Sequence, residues 1–342
     1  MIKVLVPSAP KAEALLPYLK RIDDANWYTN SGPLVREFEG RMGGVSVSSA
    51  TLGIELAAKC LFRFKRVRIP AFTFVATATA LIRAGFEPVL CDVDENWTLV
   101  SPDAQSLAVC PFGASVKHSG LVDAAAAWGN QSEGIRVFSL HATKALSAGE
   151  GGMVCGPKDL QERIRKLANF GLDASRLTHG VVTEAGTNAK MSEYHAAVGL
   201  ASLDAWPEIS ARRAAMAEAY RDRLGSTVSF QPRDPESVYT TFPITVRNAE
   251  QVAFDMASRG VETRRWYTPT LDKHPAFQHL PKEGDLSNAH RLGGEVLCLP
   301  FHLHLTDSDI EQVCEVFEWA RDRNSGHRIS QADLCGEARP YA

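Results

Sequence analysis

The chain alternates between short apolar runs and longer stretches whose apolar residues recur at helical spacing. The pattern predicts strands over residues 45–48, 66–70 and 88–94, separated by a helix over 54–61 and a helix that ends at Gly85. Strands that alternate with helices are typical of α/β proteins, in which helices cover both faces of a mostly parallel sheet. Ligands in such proteins bind at the carboxyl ends of the strands. The sequence therefore predicts an α/β fold with its functional residues at one edge of the sheet.

The pattern changes after Gly225, where strands and helices become shorter. One of these helices is preceded by Thr306 and Asp309, which are three residues apart and resemble a capping box. We therefore predict a large domain over residues 1–225 and a small α+β C-terminal domain over residues 226–342. The last part of this small domain, from Asn324 onward, is a polar tail without a recognisable motif.

Composition excludes several classes of partner. The 342 residues are 45% hydrophobic and 23% charged, with a net charge of −3, so nothing suggests a basic surface for nucleic acid or anionic membrane. No apolar run approaches the length of a membrane span, and the N-terminus lacks a signal-peptide core. Seven cysteines without a CxxC motif are typical of reduced thiols. These features predict a soluble cytoplasmic protein.

A metal site is also not expected. His302 and His304 are the one suggestive pair, but no third ligand lies at a useful spacing. We interpret this segment as a surface strand.

Lys144 stands between two apolar runs, residues 137–140 and 152–154. A single lysine is most often a solvated loop residue. The alternative is a Schiff-base lysine, whose amine is partly desolvated so that it can lose its proton and attack an aldehyde. Another apolar run ends at Asp123, and a carboxylate at a strand end can keep a pyridinium nitrogen protonated. Together, Lys144 and Asp123 indicate pyridoxal 5′-phosphate (PLP) chemistry.

Three motifs extend this pattern: FSLHATK at residues 138–144, EGG at 150–152 and VDAA at 122–125. In this order they resemble the nucleotide-sugar aminotransferases of the DegT/StrS family, which are fold-type-I PLP enzymes. The resemblance runs from about Asn30 to Trp319. It implies that Lys144 holds PLP as an aldimine and transfers protons, and that glutamate donates an amino group to a keto carbon of a nucleotide-linked deoxysugar.

The resemblance also assigns residues to the cofactor phosphate. Ser49 and Thr51 begin a predicted helix whose free N–H groups suit an anion, although an ordinary N-cap is the alternative. Ala50, between them, stands where relatives carry glycine. Ser139 belongs to the same phosphate set. Asn188 is implied to reach the phosphate of a neighbouring subunit, so the resemblance predicts a homodimer with shared active sites.

Further residues are implied to face the pyridine ring or the substrate. Phe74 would stack on the ring, with a core phenylalanine as the alternative. The residues on the substrate side are implied to be Tyr28, Asn30, His141, Arg264 and Tyr267.

Besides Ala50, the chain departs from its relatives at other places near the site. The connection over residues 112–120 is barely long enough for a parallel crossover, so we expect an extended or one-turn link instead of a helix. Ala126 stands where relatives carry a glutamine beside the cofactor. Further along, we expect a long helix that kinks at Pro207 and ends at Gly225.

Two other functions are compatible with the same fold. A PLP-dependent sugar dehydratase would carry histidine in place of Lys144. A non-catalytic sensor would lack the lysine or Asp123. Because both residues are present, the sequence favours the aminotransferase, while the sugar, the keto carbon and the nucleotide stay open.

Overall fold

The structure is a computed structural model that describes residues 1–172, 181–233 and 237–324. The predicted polar tail therefore lies almost wholly outside the described residues. The elements of the first part, in chain order, are α1 (Ala12–Ala25), α2 (Pro33–Met42), β1 (Gly44–Val47), α3 (Ala50–Leu61), β2 (Arg66–Pro70), α4 (Val75–Arg83), β3 (Glu87–Cys91), β4 (Leu107–Val109), β5 (Leu121–Asp123), β6 (Ile135–Ser139), β7 (Gly152–Cys155), α5 (Lys158–Ala168), α6 (Glu193–Asp204) and α7 (Trp206–Leu224). They are followed by β8 (Ser229–Phe230), β9 (Phe242–Thr245), α8 (Ala249–Ser258), β10 (Lys282–Glu283), α9 (Ser287–Glu295), β11 (Val296–Leu299) and α10 (Asp307–Asn324).

The central sheet has the strand order β1-β7-β6-β5-β4. Strands β4, β5 and β6 are parallel, whereas β7 is antiparallel to both of its neighbours. A bridge between Arg68 and Ser106 sets β2 beside β4, and β3 and β10 continue this side in parallel. The predicted mostly parallel sheet is confirmed. Strands β1 and β6 are both antiparallel to β7, so they run in the same direction as each other, and β2 and β5 are parallel to β6. The carboxyl ends of β1, β2, β5 and β6 therefore lie at the same edge of the sheet.

Helices cover both faces of this sheet, as the sequence predicted. Helices α3, α4 and α5 pack on one face over a core that includes Ile54, Leu81 and Ile164. Helices α1, α2 and α6 lie on the other face, where Phe38 is fully buried. A third core joins the second half of α7 with β9, β11, α8 and α10 around Phe242. The domain division at Gly225 stays a prediction.

Two local predictions are confirmed and one is refined. The link after β4 is a single 3-10 turn, Pro111–Gly113, followed by irregular backbone up to β5. Thr306 and Asp309 form the reciprocal cap, since each backbone N–H donates to the other side chain, at 2.8 and 3.1 Å. The kink expected at Pro207 is instead a break at Ala205 between two helices. Pro207 lies in the first turn of α7, where a backbone N–H has no partner within the helix, so its missing N–H fits the start of a new helix.

The surface strand predicted around His302 is wrong. Residues 302–304 form a bend and turn, and His302 is buried with its Nε2 3.1 Å from the carbonyl of Lys3. Within the described ranges, no His, Cys, Asp and Glu side chains gather in threes to hold a metal ion. The same ranges contain no helix long and apolar enough to cross a membrane.

Candidate active site

Asp123 is the buried acid at the edge of the sheet. It ends β5, and its side chain is almost fully covered. The Thr77 hydroxyl donates to Oδ2 at 2.8 Å, and the Ala125 N–H donates to Oδ1 at 3.1 Å. Burial raises the pKa of Asp123, while these two donors and the charge of Lys144 lower it. The carboxylate is therefore held in place from both oxygens.

Lys144 lies in the loop between β6 and β7. Backbone bonds fold this loop tightly, from Leu140 N–H to the Gly151 carbonyl at 2.9 Å and from Ala142 N–H to the Gly149 carbonyl at 2.8 Å. The fold brings Lys144 close enough to Asp123 for each charge to act on the other's pKa. Burial lowers the pKa of Lys144, and Asp123 opposes that shift. Burial thus favours the neutral amine, the form that can act as a nucleophile or base.

The start of α3 lies directly beside Gly152. In the sheet, Gly152 is paired with Val47 on one side and Ser139 on the other. A Cβ built on Gly152 would stand 2.7 Å from the Ala50 nitrogen, so only glycine lets the strand pass this close to the helix. Ser49 caps α3 by accepting from the Leu52 N–H at 3.3 Å. The N–H groups of the first turn have no partner within the helix, which makes this end a possible anion site.

The remaining phosphate candidates gather at the same place. Ala50 and Thr51 are the first two residues of α3, and the helical backbone at Ala50 accepts a Cβ. Ser139 ends β6, where its Oγ accepts from the His141 N–H at 3.3 Å and keeps its own O–H free to donate. The structure therefore brings Ser49, Thr51 and Ser139 together.

His141 is held in one orientation next to the lysine loop. Its Nδ1 accepts from the Thr143 N–H at 3.3 Å and lies 2.8 Å from the Thr143 hydroxyl. Its Nε2 lies 3.5 Å from Glu150 Oε1, and the ring is half exposed. His141 is thus an accessible side chain three residues from Lys144.

Phe74 and the N-terminal loop are exposed on the surface. Phe74 is the N-cap residue of α4, four residues beyond the end of β2, and its side chain is 53% exposed, which disfavours the core alternative. Tyr28 stacks on Tyr194 with ring centroids 6.4 Å apart, and its carbonyl accepts from the Glu193 N–H. Asn30, two residues on, has a left-handed backbone with φ of 59°. This loop therefore rests on the start of α6.

Arg264 and Tyr267 take different positions. Arg264 is exposed, with its guanidinium 5.3 Å from the ring of Trp266. Tyr267 instead packs on the core, where its ring stacks on Phe112 at 5.0 Å. Burial raises the pKa of Tyr267, and the negative charge of Asp123 raises it further. Tyr267 therefore lies beside Asp123.

Asn188 is exposed next to a second lysine. Lys190 Nζ donates to its Oδ1 at 2.6 Å and also lies 4.5 Å above the ring of Phe170. The next residue, Ala189, accepts from the Ser48 N–H at 2.7 Å. This bond sets Asn188 near the start of α3 in its own chain.

Comparison with known proteins identifies the family. The profile of the DegT/DnrJ/EryC1/StrS aminotransferase family matches residues 11–117 and 114–318. The chain belongs to this aminotransferase family. A relative from Shigella dysenteriae, dTDP-4-amino-4,6-dideoxy-D-glucose transaminase, is 27% identical over 91% of this chain and 97% of its own.

Solved structures of similar proteins agree with this aminotransferase fold. The crystal structure of DesI in the presence of its TDP-sugar product has a TM-score of 0.84, is 31% identical, and covers 95% of this chain and 94% of that one. A Bacillus cereus protein assigned as a PLP-dependent aminotransferase has a TM-score of 0.85 at 27% identity, over 93% and 99% of the two chains. PLP is the cofactor of the aminotransferase.

The residues of this site fit the cofactor. A buried carboxylate stands beside a lysine, as a pyridine nitrogen and an aldehyde require. The free N–H groups and hydroxyls at the start of α3 suit the phosphate. Sequence reasoning missed one contact, the Thr77 hydroxyl on Asp123. No residue pattern reveals it, because it depends on how α4 packs against β5.

Proposed function

We propose that this aminotransferase transfers an amino group to a keto carbon of a nucleotide-linked deoxysugar and that Lys144 is its cofactor lysine. The observation that carries the proposal is that the fold places Lys144 within electrostatic reach of the buried Asp123 carboxylate, which two donors fix at the edge of the sheet. The names of the relative from Shigella dysenteriae and of the DesI complex support a nucleotide sugar as substrate.

Each residue has a distinct part in the proposal. Asp123 would hold a proton on the pyridine nitrogen, since its carboxylate is buried and fixed by two donors. Bound PLP supplies an electron sink for the substrate carbon. Ser49, Thr51 and Ser139 would bind the phosphate together with the first N–H groups of α3. Phe74 would lie over the ring.

Lys144 would move the proton at the substrate carbon. Burial lowers its pKa and so favours the neutral amine that can accept a proton. Four backbone hydrogen bonds join residues of its loop between positions 140 and 151. The amine is thus attached to a rigid support, which an exchange of protons at one carbon requires.

The substrate side of the proposed site is made mostly of exposed residues. Glutamate as amino donor is supported by the resemblance alone. His141, Tyr28, Asn30 and Arg264 all have exposed or half-exposed positions from which they could contact a sugar or nucleotide. Tyr267, beside Asp123, would act through packing under the site.

An assay with a panel of substrates tests this function. Purified protein loaded with PLP would be given glutamate and either 3-keto or 4-keto nucleotide sugars, and 2-oxoglutarate would be measured. We expect production with at least one sugar and none with Lys144→Ala. The proposed glutamate-dependent activity would be contradicted if the wild-type protein binds PLP but forms no 2-oxoglutarate with any sugar of the panel.

We further propose a homodimer in which Asn188 serves the neighbouring site. Asn188 is exposed, as such a role requires, although the Ala189 bond to Ser48 also gives it a route to its own site. Lys144→Ala can be mixed with an inactive Asn188 variant under conditions that exchange subunits. A shared site predicts recovered activity, because one site of the mixed dimer receives both defects and the other none. No recovery despite proven exchange would assign Asn188 to its own chain.

The cysteines support the proposed cytoplasmic location. The six cysteines in the part of the chain that the structure describes are free thiols. Free thiols are typical of reducing compartments. Cell fractionation would test the location directly, and recovery in an extracytoplasmic fraction would contradict it.

A further inference from the structure

Asp123 receives its strongest side-chain hydrogen bond from a residue that no motif singles out. Thr77 lies in the first turn of α4, and its side chain is completely buried. Its hydroxyl lies 2.8 Å from Asp123 Oδ2 and 3.0 Å from the hydroxyl of Thr73, which is also buried. The three side chains form a short chain of hydrogen bonds that ends at the carboxylate.

The direction of this chain follows from counting protons. An ionised carboxylate only accepts, and a hydroxyl has a single proton to donate. If Thr77 donates to Asp123, it must accept from Thr73. Both hydroxyls then point toward Oδ2, an arrangement that matches the charged carboxylate. The positive end of α4 adds to the same preference, because anions are favoured near the first turn of a helix.

The neighbouring groups that can stabilise the charged form of Asp123 are few. Tyr267 and Cys110 lie close enough to Asp123 for its charge to raise their pKa values, and burial raises the pKa of each more strongly, so both stay neutral near pH 7. Lys144 supplies a positive charge. That lysine is also the proposed reactive group, so its charge is not constant during turnover. Thr77 and the Ala125 N–H are donors that stay the same throughout.

We propose that Thr77, oriented by Thr73, is a positioning residue that keeps Asp123 ionised and fixes its carboxylate toward the cofactor's ring nitrogen. This inference rests on the proposed function, because it assigns a support to the residue that would face the pyridine. It makes Thr77 important for the protonation of the ring without any contact between Thr77 and the substrate.

The test uses three variants of threonines on α4. Thr77→Val removes the donor, Thr77→Ser keeps it, and Thr79→Val is the matched control on the same helix. The Thr79 hydroxyl bonds to the Val75 carbonyl at 2.8 Å rather than to Asp123. Each protein is loaded with PLP labelled with 15N in the ring, and the 15N chemical shift reports whether the ring nitrogen is protonated.

We expect a protonated ring nitrogen in wild type, Thr77→Ser and Thr79→Val. Thr77→Val should shift toward the neutral value, and its turnover should fall by about tenfold or more, since a hydrogen bond to a charged group is lost. The KM for the sugar should stay unchanged. If Thr77→Val fails to fold, Thr73→Val decides the question, because it removes only the donor onto Thr77 and should give a smaller shift in the same direction.

Several results would overturn the inference. One is a wild-type 15N shift and rate in Thr77→Val, and another is an equal effect of Thr79→Val. If Thr77→Val does not fold, an unchanged 15N chemical shift in Thr73→Val would also overturn the inference. Failure of the proposed function looks different, because then wild type itself would show no covalently bound PLP or no transamination.

Discussion

Gly152→Ala is the substitution that tests the proposed phosphate site most sharply. Gly152 begins β7 and contacts the first residues of α3. An added Cβ would lie 2.7 Å from the Ala50 nitrogen and 2.9 Å from both the Ala50 Cα and the Ser49 carbonyl carbon. These atoms are backbone, so the clash cannot be relieved by rotating a side chain. The start of α3 must move away from the strand.

Two effects of different size follow. Forcing a methyl group into a packed position costs about 1–3 kcal/mol of unfolding free energy. The displaced N–H groups would also lose their alignment with the phosphate, which we expect to weaken PLP binding by about tenfold, the value of one charged hydrogen bond. Gly156→Ala is the control at the other end of the strand, where an added Cβ would stand 3.3 Å from a movable atom, Cγ1 of Ile135.

The assay separates the two effects. Unfolding of the cofactor-free variants in urea gives the stability cost, and titration of the same proteins with PLP gives the dissociation constant. We expect Gly152→Ala to have a lower free energy of unfolding and a higher PLP dissociation constant than wild type. Gly156→Ala should bind PLP like wild type. A folded Gly152→Ala protein with the affinity of wild type would refute the placement of the phosphate at the start of α3.

Three further predictions address the other parts of the site and the fold. Lys144→Ala should keep its fold but lose the visible absorption of bound PLP, and a retained band would show that another residue holds the cofactor. Burial raises the pKa of Asp123 in the folded protein, so the folded state holds this proton more tightly than the unfolded state does. An unfolded aspartate loses its proton at about pH 4. As pH rises above that value, the cofactor-free wild type should therefore lose stability relative to Asp123→Asn. Urea unfolding at several pH values measures this, and a gain in relative stability would contradict it. The buried Glu193 accepts from the N–H groups of Leu34 and Val35 at 2.7 and 3.0 Å and so caps the first turn of α2. Glu193→Ala should lower the free energy of unfolding by about 1–3 kcal/mol. An unchanged urea midpoint would argue against a stabilising role for this cap.

The sequence allowed the order of the first strands and helices to be predicted, and it singled out Asp123 and Lys144 as candidate site residues. Asp123 ends an apolar run and Lys144 lies in the polar loop between two apolar runs, and that local pattern is what suggested their chemistry. The short link after β4 could also be predicted, because nine residues leave no room for a helix.

Features that depend on packing between distant segments could not be predicted. Whether Thr77 faces Asp123 or solvent depends on the rotation of α4 over the sheet, which helical spacing alone does not fix. Tyr267 stands in a motif that suggests a substrate contact, yet its ring stacks on Phe112, 155 positions earlier by sequence number. The break at Ala205 was missed for a local reason, since proline is compatible with both a kink and a first turn.

Chemical trapping of the cofactor tests the central claim directly. Protein loaded with PLP is reduced with sodium borohydride, digested, and analysed by mass spectrometry for the peptide that carries the reduced cofactor. Lys190 is the instructive rival, because burial lowers its pKa as it lowers that of Lys144. The account predicts the adduct on Lys144 and an unmodified Lys190. An adduct on Lys190, or on any lysine other than Lys144, would contradict it.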